Sequence, residues 1–301
     1  SYPIGAWEKK VHLYLEALFK ELDYVAEKMK GRTLDTVYFG GGTPTSLKAE
    51  ELDALLTKIE NTFDLSKVQE FTVEAGRADS ITREKLQVLL DHGIDRISIN
   101  PQTLEDHVLR AIGRKHAAGD IRAANDLARS VGFDCINMDL IAGLPQDSCE
   151  GFRRSLEGVL EMEPENVTIH TLALKKGSTL MERGGSLPSG AEVAEMLDFS
   201  REILIRRGYR PYYLYRQKYM SGALENVGWA KPGTENLYNI IMMEELQTVV
   251  SVGGGGVTKL VDYAAGRIVR LPNPKYPHDY LAMSAKVLEQ KDEILRFYRE
   301  V

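Results

Sequence analysis

The chain has 301 residues, 43% hydrophobic and 27% charged, an ordinary globular composition with length enough for one barrel-sized domain. A formal charge of −6 and no basic block disfavour a nucleic-acid partner, because nothing collects phosphates and releases their counterions. No stretch approaches the ~18 uninterrupted apolar residues of a membrane span, and the N-terminus has no basic, apolar, small-residue cleavage pattern, so a soluble cytoplasmic protein is expected.

Val11, Leu15, Leu18, Leu22 and Val25 recur at helical spacing and predict an opening helix with one face on a core. Leu34 to Phe39 predicts a buried strand running into Gly40-Gly41-Gly42-Thr43-Pro44, and Leu52, Leu55, Leu56 and Ile59 resume the helical period, which completes one βα unit. The pattern repeats with predicted strands at Val68 to Ala75, Ile94 to Ile99, Cys135 to Ile141, Val167 to Leu172 and Tyr212 to Tyr215, each separated from the next by a helical segment. Strict alternation specifies an α/β protein with a parallel sheet. It fits both a barrel and a doubly wound sheet, and six or so units in one domain favour a barrel or an open part-barrel. After Tyr215 the rhythm breaks into a polar, glycine-containing stretch before an apolar helix around Ile240 to Leu246. Residues 1–215 are therefore expected to form the core and 216–301 a C-terminal appendage.

Two cysteines, Cys135 and Cys149, have neither a CxxC spacing nor a disulfide framework and are expected as unpaired thiols in a reducing compartment. Two thiolates do not make the three or four that usually hold an iron-sulfur cluster, so no metal ligand is assigned within the chain.

In a parallel barrel the chemistry sits at the carboxyl ends of the strands. The polar residues there are Gly40 to Thr43, Glu74, Ser98 and Asn100 followed by Gln102, and Asn137 with Asp139. Taken singly, each has an ordinary alternative. The triple glycine fits a sharp βα turn; Glu74 and Asp139, in apolar strands, fit structural ion pairs; Arg114 fits a solvated helix end. Neither Gly40 to Thr45 nor Ser251 to Lys259 has dinucleotide-binding or P-loop spacing.

Together these residues form a set. The string Tyr38-Phe39-Gly40-Gly41-Gly42-Thr43-Pro44-Thr45-Ser46-Leu47 resembles the second signature of radical S-adenosylmethionine enzymes, in the long form carried by the oxygen-independent coproporphyrinogen III oxidases. Val73-Glu74-Ala75, Arg96-Ile97-Ser98-Ile99-Asn100-Pro101-Gln102, Gly113-Arg114 and Asn137 to Pro145 follow in order, so the resemblance covers nearly the whole chain.

The resemblance implies an incomplete TIM-like parallel barrel that binds S-adenosylmethionine. Gly41, Gly42 and Thr43 would present backbone to the methionine part, Glu74 and Arg114 would engage its amino-acid end, and Gln102 and Asp139 would hold the ribose. Thr171 and Val257 carry over more loosely, near the adenine or a second cofactor molecule. The implied activity is loss of carbon dioxide from coproporphyrinogen III propionates to give vinyl groups in protoporphyrinogen IX and haem synthesis. It would start from reductive cleavage of S-adenosylmethionine at a 4Fe-4S cluster, with electrons from a donor the sequence does not identify. The family's CxxxCxxC signature is missing. The opening Ser1-Tyr2-Pro3-Ile4 resembles residues just downstream of it, so the chain is expected to begin after that loop and to be inert alone, with natural loss of the cluster as the alternative. Asn100-Pro101 and Ala75-Gly76-Arg77 depart from the commoner family pattern and, with Tyr212 to Tyr219 and Gly222 to Trp229, resemble a bacterial coproporphyrinogen dehydrogenase subgroup.

A tetrapyrrole is a flat apolar ring edged with carboxylates, and Tyr213, Tyr215, Arg216, Lys218 and Trp229 offer aromatic faces and cations for it. The same stretch also fits a surface loop capped by core tyrosines. Two other functions are open: a haem-transferring chaperone, since family relatives share the barrel and cofactor motifs, and an unrelated barrel whose triple glycine grips a phosphate.

Overall fold

The computed structural model describes residues 10–172, 187–215 and 225–299. The chain divides into two compact units, one of Ser1–Val37, Leu47–Gln69 and Ile240–Val301, the other of Tyr38–Ser46 and Glu70–Asn239.

A seven-stranded sheet is built from β1 (Thr36–Phe39), β2 (Glu70–Gly76), β3 (Arg96–Ile99), β4 (Cys135–Ala142), β5 (Asn166–Thr171), β6 (Arg210–Tyr215) and β7 (Asn226–Ala230). Its order is β1-β2-β3-β4-β5-β7-β6. Strands β2 to β5 pair in parallel, as the alternating pattern predicts. The far edge differs from the expectation of a simple sixth unit: β7 inserts antiparallel between β5 and β6. Asn226 to Ala230 lies within the stretch expected to be irregular, because a central glycine and polar neighbours hide its strand pattern. β1 is half-buried along its whole length, not buried as expected, because it is an edge of this sheet.

Period-two alternation sorts the sheet into two chemically different faces. One carries Phe71, Val73, Ile97, Ile99, Ile136, Met138, Leu140, Val167 and Ile169, all buried, beneath helices. Of these, α3 (Arg83–Asp91), α4 (Asp106–Ala111), α5 (Ala118–Val131), α6 (Cys149–Glu161) and α7 (Gly190–Arg206) follow one another in the chain. Helix α5 packs on β3, α6 on β4, and α7 on β4 and β5. Side-chain caps start three of them: Thr82 accepts from Lys85 N–H, Ser148 from Gly151 N–H and Ser189 from Glu192 N–H.

The other face is polar. At its amino end Arg96 lies 3.5 Å from Glu70, bonds Asn166 and donates to the Thr234 carbonyl at 2.9 Å. Glu70 in turn accepts the first N–H groups of α8 (Leu237–Glu244), from Leu237 at 2.7 Å and Tyr238 at 3.2 Å. A carboxylate there satisfies donors that a helix start leaves without internal partners.

In the first unit α1 (Val11–Lys28) packs on α2 (Ala49–Thr62) and on three short helices, α9 (Pro277–Ala282), α10 (Ser284–Gln290) and α11 (Asp292–Arg299). A hairpin of β8 (Val257–Asp262) and β9 (Arg267–Pro272) contributes Leu260 and Leu271 to a cluster with Ile294 and Phe297. Buried at the centre of this unit, Glu21 and Lys291 pair at 3.2 Å. Tyr280, Asn273 and Gly253 N–H donate to the carboxylate at 2.6–2.8 Å, and Lys291 donates to the Ser251 carbonyl at 2.7 Å. No described helix is long and apolar enough to cross a membrane.

Candidate functional site

The carboxyl ends of β1 to β5 carry the candidate residues. Gly41 takes φ +85°, a region that L side chains avoid, and donates its N–H to Glu74 Oε2 at 3.3 Å. A Cβ on Gly40 would stand 2.5 Å from Tyr38 Cε1 and 2.7 Å from Glu74 Oε1, so only glycine lets the turn close over these two side chains. Nothing lies within 4 Å of a Cβ built on Gly41 or Gly42, which leaves open backbone, while the half-buried Thr43 leads into the following turn.

Glu74 is bound by Tyr38, whose hydroxyl donates to Oε1 at 2.5 Å. The Tyr38 ring stacks on Tyr238 at 4.1 Å. Burial pushes the Glu74 carboxyl above the usual range, with the nearby Asp139 charge adding to it, against the pull of Tyr38 and Gly41.

Asp139 lies under the opposite balance. Burial pushes its carboxyl up, but His170 and Asn137 outweigh burial and hold it below the usual carboxylate range. Asn137 Nδ2 donates to Asp139 Oδ1 at 2.8 Å and to Ser98 Oγ at 2.7 Å, and His170 Nε2 is 3.4 Å from Asp139 Oδ2. Gln102, at φ +67°, forms a backbone bridge with Leu140 and donates its N–H to the Asp139 carbonyl.

Arg114 is half-buried; its backbone N–H donates to the Leu109 carbonyl at 2.9 Å, and its guanidinium forms no hydrogen bond or ion pair with any described residue. Burial lowers its pKa, and the Arg77 charge nearby lowers it further. Arg77 is itself held by Asp79, at 3.0 and 2.8 Å. A guanidinium left without a partner where a carboxylate is expected suits capture of a ligand carboxylate. Thr171 Oγ1 is buried and also unpartnered.

Gly41, Gly42, Thr43, Glu74, Gln102, Arg114, Asp139 and Thr171 thus all belong to one unit. Val257 belongs to the other, on β8, and is exposed. Of the substrate candidates, Tyr213 and Tyr215 stack at 6.3 Å, and the Tyr213 hydroxyl lies 3.3 Å from Thr168 Oγ1 on the polar face. Trp229 pairs in register with Val167 and Pro211, whereas its neighbour Gly228 pairs with Thr168 and Tyr213. Trp229 therefore points to the apolar face, where it is buried, and the structure separates it from the two tyrosines. Arg216 and Lys218 lie outside the described residues.

His170 and Tyr38 complete the site without having been singled out from sequence. The signal for His170 was the alternation Asn166, Thr168, His170 within a strand otherwise read as buried.

The arrangement suits S-adenosylmethionine: open backbone at Gly41 and Gly42, an unpartnered guanidinium, an ionised carboxylate for hydroxyls, and the orphaned Thr171 hydroxyl. It does not suit an iron-sulfur cluster. The chain has two cysteines, burial pushes Cys135 up to about 11, and the described residues hold no cluster of metal-ligating side chains.

An open, mostly parallel sheet with its polar groups at the carboxyl strand ends is the scaffold of radical S-adenosylmethionine proteins, and the chain belongs to the radical SAM superfamily, which it matches over residues 3–157. Within it the chain stands with the oxygen-independent coproporphyrinogen III oxidase family. It is 40% identical over 306 aligned residues to the oxygen-independent coproporphyrinogen-III oxidase-like protein HemZ of Bacillus subtilis, covering all of this chain and 60% of that protein. It is 30% identical to the haem chaperone HemW of Lactococcus lactis, covering 95% of this chain and 70% of that one. Coproporphyrinogen III oxidase (HemN) of Escherichia coli shares the fold with a TM-score of 0.74 at 22% identity, covering 92% of this chain and 63% of that one.

Proposed function

We propose that this chain supplies the S-adenosylmethionine-binding face of a tetrapyrrole-modifying enzyme, which as a whole protein converts coproporphyrinogen III propionates to vinyl groups. The carrying observation is that the same unit holds a guanidinium without a hydrogen-bonded partner, Arg114 in the loop after α4, and an ionised, pre-oriented Asp139 on β4, which match a ligand with a carboxylate at one end and a ribose at the other. Gly41 and Gly42 accommodate the methionine portion, and Glu74, with Tyr38 on one oxygen, accepts its ammonium. Gln102 and Asp139 hold the ribose, and Thr171 lies toward the adenine. When bound, S-adenosylmethionine supplies the radical chemistry; the residues of this chain orient it and keep water out. Tyr213 and Tyr215 offer aromatic surface to the substrate ring, with Arg216 and Lys218 as cations for its carboxylates.

The 40% identity to a coproporphyrinogen oxidase-like protein supports the oxidase. A haem-transferring role is the second reading, favoured by the similarity to a haem chaperone over 95% of this chain. The test uses the whole natural protein, supplied anaerobically with iron and sulfide. S-adenosylmethionine cleavage with carbon dioxide release from coproporphyrinogen III is the expected result. Haem binding and transfer without decarboxylation would replace the oxidase with the chaperone.

A further inference from the structure

We infer that His170 is a positioning residue for the nucleoside: together with Tyr215 it forms a one-way hydrogen-bonded chain that fixes the Asp139 carboxylate for a ribose. This inference rests on the S-adenosylmethionine reading above and adds two residues to it.

The imidazole is bracketed. Nε2 lies 3.4 Å from Asp139 Oδ2 and Nδ1 lies 3.2 Å from the Tyr215 hydroxyl. An ionised carboxylate has no proton to offer, so the nitrogen facing it carries the hydrogen. In the tautomer that carries its hydrogen on Nε2, Nδ1 is an acceptor, and Tyr215 has a proton to give it. The donor direction runs Tyr215 to His170 to Asp139. Asn137 grips the other carboxylate oxygen at 2.8 Å and is itself anchored by Ser98, and the Thr168 hydroxyl adds a third protein donor. A carboxylate offers about four lone-pair directions, and those left over face a ligand with two adjacent hydroxyls. The register places these groups side by side: Asp139 pairs with Thr168 and Ile141 with His170 across β4 and β5, while Tyr215 ends β6.

Glutamine reproduces this polarity, with an NH₂ to donate and a carbonyl to accept, whereas leucine keeps bulk and loses both. The experiment compares His170→Leu, His170→Gln and Tyr215→Phe in the whole, cluster-loaded protein. It titrates S-adenosylmethionine and, separately, 5′-methylthioadenosine and 2′,3′-dideoxyadenosine by calorimetry. We expect His170→Leu to weaken both hydroxyl-bearing ligands about tenfold, the scale of one hydrogen bond to a charged group. It should leave the dideoxy compound unchanged and have no further effect in an Asp139→Asn background. His170→Gln should restore most of the loss, and Tyr215→Phe should show a smaller one. Equal weakening of the dideoxy ligand, or tight S-adenosylmethionine binding by His170→Leu, would overturn the role of His170 while leaving the cofactor site standing. Failure of the unaltered protein to prefer hydroxyl-bearing nucleosides would overturn both.

Discussion

Gln102 donates its backbone N–H to the Asp139 carbonyl at 2.9 Å, and its own carbonyl accepts from Ile141 N–H at 2.9 Å. Two residues assigned to the same ribose are thereby locked to one another by main chain. Gln102 makes these bonds from φ +67°, a conformation that costs an ordinary side chain on the order of 1 kcal/mol. Gln102→Gly should hold or raise the melting temperature while weakening S-adenosylmethionine, and Gln102→Ala should weaken the ligand without the gain in stability. Thermal melts and calorimetry on the two variants check this.

Arg114 offers the same split by another route. Its half-buried guanidinium makes no side-chain hydrogen bond with a described residue, and burial and the Arg77 charge outweigh the attraction of Asp79, so Arg114→Met should leave the melting temperature equal or higher and reduce S-adenosylmethionine affinity by roughly tenfold or more. A large loss of stability would show that the guanidinium holds the fold.

Gly228 faces Tyr213 so closely that an added Cβ would stand 1.8 Å from the ring. Gly228→Ala should cost at least about 2 kcal/mol through overpacking, and Tyr213→Leu in the same chain should recover part of it. Urea unfolding of the four proteins of this cycle measures the coupling.

Lys291→Met leaves Glu21 buried beside an apolar chain and should destabilise by about 3–5 kcal/mol. Because Tyr280, Asn273 and Gly253 still donate to the carboxylate, changing Glu21 to Gln as well should recover much of the loss. Chemical denaturation of single and double variants separates the charge from the packing.

Asp147 supplies the pH dependence. Burial pushes its carboxyl up to about 6 from 3.8, and one of its oxygens has no partner. The folded pKa exceeds the unfolded one, so the folded state binds the proton more tightly. The associated stability is fully present below about pH 4 and is lost as pH rises through about 6. Asp147→Asn should remove that slope and stabilise the protein at pH 7 by about 1 kcal/mol, allowing for solvent screening. Melting temperatures across pH 4 to 8 test it.

Strands β2 to β5 were legible because each is a short apolar run between a helical period and a turn, and Glu74, Asn137 and Asp139 stood out as polar residues within such runs. The polar alternation of β5 was harder to see, since threonine and histidine suit a buried strand as well as an open face. β7 was not legible. Gly228 has no strand signature of its own, and the reason for a glycine there is the Tyr213 ring across the ladder, which is a fact of register. Trp229 illustrates the converse: an aromatic beside a polar stretch suggests a ligand platform, but strand parity turns it into the core. The motif resemblance named the candidate cofactor residues where periodicity did not, because the backbone opening at Gly41 and the lack of a side-chain hydrogen bond at Arg114 appear only once the chain is folded.

The polar face has two storeys with different obligations. At the amino end, Glu70, Arg96 and Asn166 spend their bonds on one another, on backbone and on the start of α8, and a change at any of them disturbs the folding of the strands. At the carboxyl end, Arg114 and Thr171 Oγ1 are uncommitted, and a change there alters only what is bound. Ligand preference at one end of this sheet can therefore change without reopening the architecture at the other.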